Sequence, residues 1–227
     1  MALILTFKQP PMDVRFPSEY DFEQINDLTC KLVSKANGEP ITSINDRAFY
    51  SCTSLESVVI PNSVKNIGFH AFGYCTSLKS VVIPDSIKTI GFYAFSCCKS
   101  LEYVVIPDSV NTIGSNAFSS CTSLESVVIP DSVKTIGNFA FYYCRSLKSV
   151  IIPDSVKNIG NHTFSFCTSL EFIVIPDSVN TIGEFVFYNC PSLKIITING
   201  PLTEYLKEYF ETNYSEIDLE YNDYLLK

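Results

Sequence analysis

The stretch IPDSVKTIGNFAFYYCRSLKSVIIP, from Ile129 to Pro153, decides the fold because nearly the same phrase recurs every 23 residues. Repetition at a fixed period of roughly 20 to 50 residues is the sequence signature of solenoids, propellers and arrays. The unit reads L-x-x-V-V-I-P-D-S-V-K-x-I-G-x-x-A-F-x-x-C-x-S, and seven copies run from about residue 41 to residue 200. The repeated cysteines show the register: Cys52, Cys75, Cys98, Cys121, Cys144, Cys167 and Cys190.

Within one unit, the apolar residues predict two short strands and a helical turn. Residues 55–60 alternate and are rich in β-branched side chains, which is typical of a strand, and Pro61 ends that strand. Residues 64–67 indicate a second short strand, and apolar residues three and four apart within 71–75 indicate one helical turn. A single unit buries too little apolar surface to fold alone, so we expect the units to stack about 4.8 Å apart.

This repeat resembles the BspA-type leucine-rich repeat, and the resemblance covers residues 41–200. It implies a right-handed solenoid with two short parallel strands and a short helical turn in each 23-residue coil. It also implies a surface or secreted protein of the kind implicated in adhesion and in binding host or matrix proteins. The family has no shared catalytic residues, so the resemblance assigns no catalytic site.

Residues outside the repeats are expected to cap the solenoid at both ends, because terminal coils otherwise expose apolar faces and strand edges. We assign residues 1–40 to an N-terminal cap, with an extended arm or added edge strand followed by a helix over 18–37. Residues 41–200 form the seven repeats. Residues 201–227 form an acidic C-terminal cap of net charge −5, with a helix beginning at Pro201 and a strand over 217–221.

Two ladders in the stacked coils have both a chemical and a structural interpretation. The repeat cysteines lie close enough for disulfides, but their side chains point the same way into the core, which favours buried free thiols. The aspartates after the prolines have the spacing of a cation ladder, whereas a repeated Pro-Asp turn explains them without a metal. We expect free thiols and turns, with disulfides and calcium as the alternatives. The aspartates are Asp85, Asp108, Asp131, Asp154 and Asp177.

Charge, hydropathy and histidine content argue against several classes of function. The net charge of −8 argues against nucleic acid or an anionic membrane as the main partner. No apolar run reaches the roughly 18 residues of a membrane helix. The two histidines, His70 and His162, fall at the same repeat position four coils apart, too far to form a catalytic pair. We therefore expect no enzyme, no cofactor and no metal site.

Two exposed surfaces are candidates for binding a protein. Alternation along the first strand turns Val82, Val105 and Val128 outward as an apolar stripe, and Tyr103 and Phe172 stand beside it. The stripe is the favoured contact platform, with these two aromatic residues as anchors. The rival is the aromatic cluster of the turn region, made by Phe69, His70, Phe92, Tyr93, Phe139, Tyr142, Tyr143, Phe166, Phe185 and Tyr188.

The function expected from these features is non-enzymatic protein binding, as adhesion or host-protein interaction at a cell surface. The alternative is an intracellular scaffold or a self-assembling structural repeat protein, which unpaired cysteines favour. The N-terminal residues lack the basic start, long apolar region and cleavage site of a signal peptide. Export would therefore use a route without a conventional signal, and the alternative location is the cytoplasm.

Overall fold

Each 23-residue repeat forms one coil of a solenoid. The coils are numbered by their repeat cysteine, so that Cys52 lies in the first coil and Cys190 in the seventh. The computed structural model describes residues 3–8, 20–26, 29–35, 39–200, 203–214 and 218–222, with the backbone alone for 20–26, 29–35 and 218–222. The first strand of each coil pairs in parallel and in register with that of a neighbouring coil, so that Val127 lies opposite Val104. This ladder is interrupted once, between residues 126–128 and 149–151. These strands are β5 (Leu55–Val59), β7 (Ser80–Val82), β9 (Tyr103–Val105), β11 (Ser126–Val128), β13 (Ser149–Ile151), β15 (Phe172–Pro176) and β17 (Ile195–Asn199).

A second and narrower set of parallel strands contains two residues from every coil. Proline cannot donate a hydrogen bond, so it ends the first strand, and its carbonyl then closes the turn: the Val133 amide donates to Pro130 over 3.0 Å. The short strands follow this turn. They are β4 (Ser43–Ile44), β6 (Asn66–Ile67), β8 (Thr89–Ile90), β10 (Thr112–Ile113), β12 (Thr135–Ile136), β14 (Asn158–Ile159) and β16 (Thr181–Ile182). The predicted solenoid of 23-residue coils with two short strands is confirmed.

The core is a set of ladders that run the length of the solenoid. The phenylalanine rings at one repeat position stack nearly parallel, with centroids 5.6 Å apart for Phe95 and Phe118 and 5.5 Å apart for Phe118 and Phe141. Offset stacking at this spacing is a favourable geometry for aromatic rings. Leu124 and Cys121 in the same coil are fully buried, as are their equivalents in the neighbouring coils. The repeat period therefore reflects one core cross-section that is copied from coil to coil.

The expected helical turn is absent from the coils, because their backbone amides bond between coils. In the fifth coil, Phe139, Phe141 and Tyr143 donate to the next coil over 2.8, 3.0 and 2.8 Å, while the residues between them close local turns. An α-helix would use all of these amides within the coil. Phe139 and Tyr143 instead adopt left-handed backbone angles, with φ of 57° and 61°. Among the described residues, only the C-terminal cap contains an α-helix.

The N-terminal cap is built from strands, so the helix predicted over 18–37 is wrong. Strand β1 (Leu3–Phe7) pairs antiparallel with β5, and the hairpin of β2 (Tyr20–Asn26) and β3 (Thr29–Lys35) extends the same sheet. The free edge of β1 needs a hydrogen-bonding partner, which a helix cannot supply. Residues 18–19 and 36–37, at the two ends of the predicted range, lie outside the described residues. The expected edge strand is present as β1, whose Leu5 and Phe7 are buried.

The C-terminal cap covers the last coil with helix α1 (Glu204–Asn213), and β18 (Asp218–Asn222) adds a parallel strand to β17. Thr203 caps α1, since its hydroxyl accepts from the Leu206 amide over 3.2 Å. Pro201, the expected first helical residue, lies outside the described part. Leu206 and Phe210 are fully buried against the last coil. The helix therefore covers the apolar end that an eighth coil would otherwise cover.

Three tyrosine hydroxyls of the cap take over hydrogen bonds that a further coil would make. The Ile182 amide donates to Tyr205 Oη over 2.7 Å, and the Phe187 amide donates to Tyr214 Oη over 3.0 Å. Tyr209 Oη donates to the Gly183 carbonyl over 2.8 Å. Burial raises the pKa of Tyr209 and of Tyr214, so both hydroxyls keep their protons.

Candidate functional site

The outward positions of the first strands form a continuous apolar stripe. Val82, Val105, Val128 and Ile151 are 55%, 60%, 66% and 63% exposed, although their neighbours on both sides along each strand are inward and buried. We call these four residues the sheet stripe. At its ends, Val59 is less exposed and Val174 is half-buried. Exposed apolar surface of this continuity gives the fold little stability, which makes it a candidate for contact with another molecule.

Tyr103 and Phe172 stand beside the sheet stripe, at the first residue of their strands. Tyr103 is 55% exposed and Phe172 is 41% exposed. Tyr103 lies opposite Ser126, and Phe172 lies between Ser149 and Ile195 of the two neighbouring strands. Three coil steps separate the two rings along the solenoid. The structure thus brings Val82, Tyr103, Val105, Val128 and Phe172 to one face.

The turn region carries two aromatic clusters, separated by a coil that has only small polar residues there. Ser115, Asn116, Ser119 and Ser120 occupy the aromatic positions of the fourth coil. Rings within each cluster contact one another, with centroids 4.3 to 6.0 Å apart. The N-terminal aromatic cluster contains Tyr50, Phe69, His70, Tyr74 and Tyr93. The C-terminal aromatic cluster contains Phe139, Tyr142, Tyr143, His162, Phe166, Phe185 and Tyr188.

Two members of the N-terminal aromatic cluster were not predicted from the sequence: Tyr50 and Tyr74, both 42% exposed. Both residues share repeat positions with predicted cluster members, because Tyr50 corresponds to Tyr142 and Tyr74 to Tyr143. The repeat register would have identified them. Phe92, which was predicted, is 59% exposed.

Many of these aromatic residues have a left-handed backbone, which L-residues other than asparagine rarely adopt. His70, Tyr93, Phe139 and Phe166 have φ between 53° and 61°. Such a conformation costs on the order of 1–3 kcal/mol, so glycine or asparagine would suit these turns better. Asn116 shows that a small polar residue satisfies the same position. The turn needs no aromatic ring, and the two clusters are therefore a second candidate contact surface.

The cysteines form a ladder of buried free thiols rather than a reactive or metal-binding group. All eight cysteines with described side chains are free, and six of them are fully or nearly fully buried. From the second coil onward each repeat thiol donates to a phenylalanine carbonyl of the preceding coil, as Cys144 does to Phe118 over 3.3 Å. Burial raises the pKa of Cys52 and Cys190, at the two ends of the ladder, to about 11, and that of the inner thiols further. Thiolate chemistry is thus suppressed along the ladder.

The repeated serines and aspartates belong to the turns. Ser132 and Ser155 donate to backbone carbonyls of the preceding coil over 2.6 and 2.7 Å. The aspartates follow the prolines in turns closed by backbone hydrogen bonds. In the described part of the chain, the aspartate side chains make no hydrogen bonds that cap these turns. Nor does that part contain a group of three or more His, Cys, Asp or Glu side chains arranged to hold a metal ion.

The two histidines lie in different aromatic clusters and do not meet. His162 is stacked between Phe139 and Phe185, with centroids 4.8 and 5.1 Å away. His70 stacks on Tyr93 at 4.5 Å. Burial, with a smaller contribution from the Arg47 charge, lowers the pKa of His70 below its ordinary value.

Two ion pairs join adjacent coils at the start of the first strands. Lys79 Nζ lies 3.0 Å from Glu56 Oε1, and Lys148 Nζ lies 2.9 Å from Glu125 Oε2. Each pair joins adjacent coils at an exposed position, where an ion pair contributes about 0.2–1 kcal/mol. Within the described residues, the structure contains no helix with the length and apolarity that a membrane crossing requires.

Solved structures share this fold. A leucine-rich repeat protein from Bacteroides ovatus is 29% identical with a TM-score of 0.66, over 80% of this chain and 52% of that protein. The T. pallidum leucine-rich repeat protein TpLRR is 26% identical with a TM-score of 0.54, over 90% of this chain and 97% of that one. The pneumococcal vaccine antigen PcpA is 22% identical with a TM-score of 0.56, over 83% of this chain and 61% of that one. This chain spans about half the length of the Bacteroides ovatus protein.

The sequence also matches a family. No curated protein matches the chain. The family described as BspA type leucine rich repeat region (6 copies) matches residues 42–151 and 134–225, which together include all seven coils. This agrees with the coil length, the two strands per coil and the stacked phenylalanine and cysteine ladders. The chain therefore belongs to the BspA-type leucine-rich repeat family.

Proposed function

We propose that this protein is a non-enzymatic protein-binding module that uses the sheet stripe as its contact platform, with Tyr103 and Phe172 as anchors. The observation that carries the proposal is the exposure of Val82, Val105 and Val128, at 55–66%, on a face where the fold does not bury them. Burying such a surface against a partner releases water from apolar area. The two aromatic rings add the side-chain type that supplies most interface hot spots.

The cellular role that we propose is adhesion or interaction with host or matrix proteins at a cell surface. One protein of the same fold is a pneumococcal vaccine antigen, and fold analogy extends a surface role to this chain. The acidic charge of −8 fits a protein partner better than nucleic acid.

A second candidate role is an intracellular scaffold, favoured by the thiol ladder. Eight free cysteines persist more readily in a reducing compartment than in an oxidising one. Buried thiols of raised pKa also resist oxidation, so the ladder is compatible with export of the folded chain. Immunolabelling of intact and permeabilised source cells separates the roles, because only a surface protein is labelled before permeabilisation.

The contact platform is tested by charge substitution on the sheet stripe. Val105→Glu and Val128→Glu each place a carboxylate on an exposed position, so both variants should keep the circular dichroism spectrum of the parent. Binding to a panel of purified matrix proteins, and self-association measured by sedimentation, should be lost in both. The matched control is Tyr142→Ala with Tyr143→Ala on the C-terminal aromatic cluster. If the control loses binding and the stripe variants keep it, the turn region is the platform and the proposal is wrong.

A further inference from the structure

The main sheet is interrupted between the fourth and fifth coils. Strand β11 pairs with β9, and β13 pairs with β15, but the two strands do not pair with each other. The coils still meet just before the strands begin, where the Lys148 amide donates to the Glu125 carbonyl over 3.3 Å. The solenoid therefore opens along β11 and β13 while it stays closed at their start.

A groove of about 400 Å³ lies at this opening. Apolar side chains of the two strands line its length, and Val128 and Ile151 are the most exposed residues of the sheet stripe. Ser126 and Ser149 line it where the strands begin, and Asp131 and Asp154 line it beyond the strand ends. The lining thus changes from apolar to acidic along the strand direction.

The two aspartates place negative charge on the groove without an ion pair. Asp131 and Asp154 are exposed, and in the described part of the chain neither carboxylate has a hydrogen bond or an ion pair. They occupy the same repeat position in adjacent coils, and both line the groove. Two carboxylates on one groove repel each other and attract a cationic group placed near both.

We infer that this groove binds an extended segment of a partner protein in which large apolar side chains are flanked by lysine or arginine. The inference rests on the proposed protein-binding function and names the site and the chemistry of the partner. From Ser126 to Pro130, where the chain turns, the groove wall is roughly 13 Å long at about 3.3 Å per residue, which matches the span of five extended residues. The apolar side chains contact Val128 and Ile151, and the basic group reaches the aspartates.

The repeat supplies a matched control for every contact. Asp85 and Asp108 occupy the same turn position as Asp131 and Asp154, but they do not line the groove. Val105 belongs to the sheet stripe and likewise lies outside the groove. Variants at these positions therefore remove the same carboxylate or apolar side chain outside the groove, where the strands of adjacent coils are paired.

The test uses the full chain and two fluorescein-labelled, amidated pentapeptides, Arg-Leu-Thr-Leu-Arg and Glu-Leu-Thr-Leu-Glu, in fluorescence anisotropy titrations at low salt. The basic peptide should bind saturably and at least tenfold more tightly than the acidic one. The double variant Asp131→Asn with Asp154→Asn should weaken its binding about five- to tenfold. The double variant Asp85→Asn with Asp108→Asn should bind like the parent. Equal binding of the two peptides, equal losses in both double variants, or no saturation at millimolar peptide would overturn the inference.

Failure of the groove is distinguishable from failure of the wider function. Suppose that Val105→Glu abolishes binding to a matrix protein, while the basic peptide binds the Asp131→Asn with Asp154→Asn variant as tightly as the parent. The groove inference is then wrong and the platform stands. If the peptide binds the groove while Val105→Glu leaves matrix-protein binding intact, the groove stands and the platform proposal is wrong. Circular dichroism on each variant checks that the solenoid is folded.

Discussion

The thiol of Cys121 donates a hydrogen bond to the backbone carbonyl of Phe95, with 3.2 Å between Sγ and O. The contact joins one coil to the one before it and recurs through the solenoid. Cysteine is small enough for the core and still offers a donor, which alanine and valine do not. The ladder therefore needs reduced thiols, and a disulfide between coils would remove two of these donors.

Thiol labelling should report this arrangement. In denaturant we expect close to nine free thiols per chain by colorimetric titration, and three or fewer would contradict the buried-thiol interpretation. In the native protein, iodoacetamide should modify Cys98, Cys121 and Cys144 slowest, because they are fully buried and burial raises the pKa of each thiol. Cys97, which is half-buried on the turn, should react faster than its neighbour Cys98. Peptide mass spectrometry over a time course gives the order.

Truncation of a central ring should cost more than truncation of a terminal one. Phe118 stacks on a ring on each side, whereas Phe49 at the first coil stacks on Phe72 alone among the described residues. Phe118→Ala should lower the free energy of unfolding by about 3–5 kcal/mol, since it empties a packed site in the core. Phe49→Ala should cost less, because coils couple to their nearest neighbours. Urea unfolding followed by circular dichroism measures both, and equal losses would count against nearest-neighbour coupling.

The sequence predicted the parts of this fold that every coil repeats. Seven copies of the repeat separate variable positions from constant ones. The constant residues, such as Phe118 and Cys121, are those that the shared core cross-section requires. Alternation along a strand then gave the outward positions, and Val82, Val105 and Val128 are exposed as expected. The binding role of these residues stays a prediction, because exposure shows only that they are available.

The sequence did not predict features that depend on contacts between coils or with the caps. Apolar spacing in 71–75 fits a helix, but hydrogen bonds to the next coil override that preference. The same holds for 18–37, where the edge of β1 requires strands. The groove between β11 and β13 has no local signature, since SVVIP at 126–130 and SVIIP at 149–153 are the same as, or one methyl group away from, SVVIP at 57–61 and 80–84. It arises from how two coils stack, which neither repeat encodes alone.

His70 has an orphaned ring nitrogen that its repeat partner does not. Its Nδ1 is buried and has no hydrogen-bond partner among the described residues, whereas His162 Nδ1 lies 3.1 Å from Ser165 Oγ. Gly73 occupies the position that Ser165 has in the other coil, so no hydroxyl is available. The ring is stacked on Tyr93, and burial and then the Arg47 charge lower its pKa. The N-terminal aromatic cluster therefore holds this imidazole in its neutral form.

Stability should fall in mild acid because of His70. The unfolded chain takes up a proton near the ordinary imidazole pKa of 6.5, and the folded chain does so only at lower pH. The stability that neutral His70 contributes is therefore fully present above about pH 6.5. It is lost as the pH falls towards the lowered pKa of His70 in the folded chain. His70→Asn should lose less stability than the parent between pH 7.5 and 5.5, measured by urea unfolding midpoints. Parallel pH curves for the two proteins would contradict the assignment.

The tyrosine hydroxyls of the C-terminal cap should contribute measurably to stability. Tyr205→Phe removes the acceptor of the Ile182 amide and the donor to the Ile182 carbonyl, and Tyr209→Phe removes the donor to the Gly183 carbonyl, while each ring keeps its packing. We expect each change to cost about 0.5–1.5 kcal/mol of unfolding free energy for each hydrogen bond lost, the usual net value. The Ile182 amide should also exchange with deuterium faster in Tyr205→Phe. Tyr188→Phe is the matched control, because this exposed hydroxyl makes no hydrogen bond within the described residues. If all three variants unfold at the same urea concentration as the parent, the cap protects the last coil by apolar burial alone, through Leu206 and Phe210.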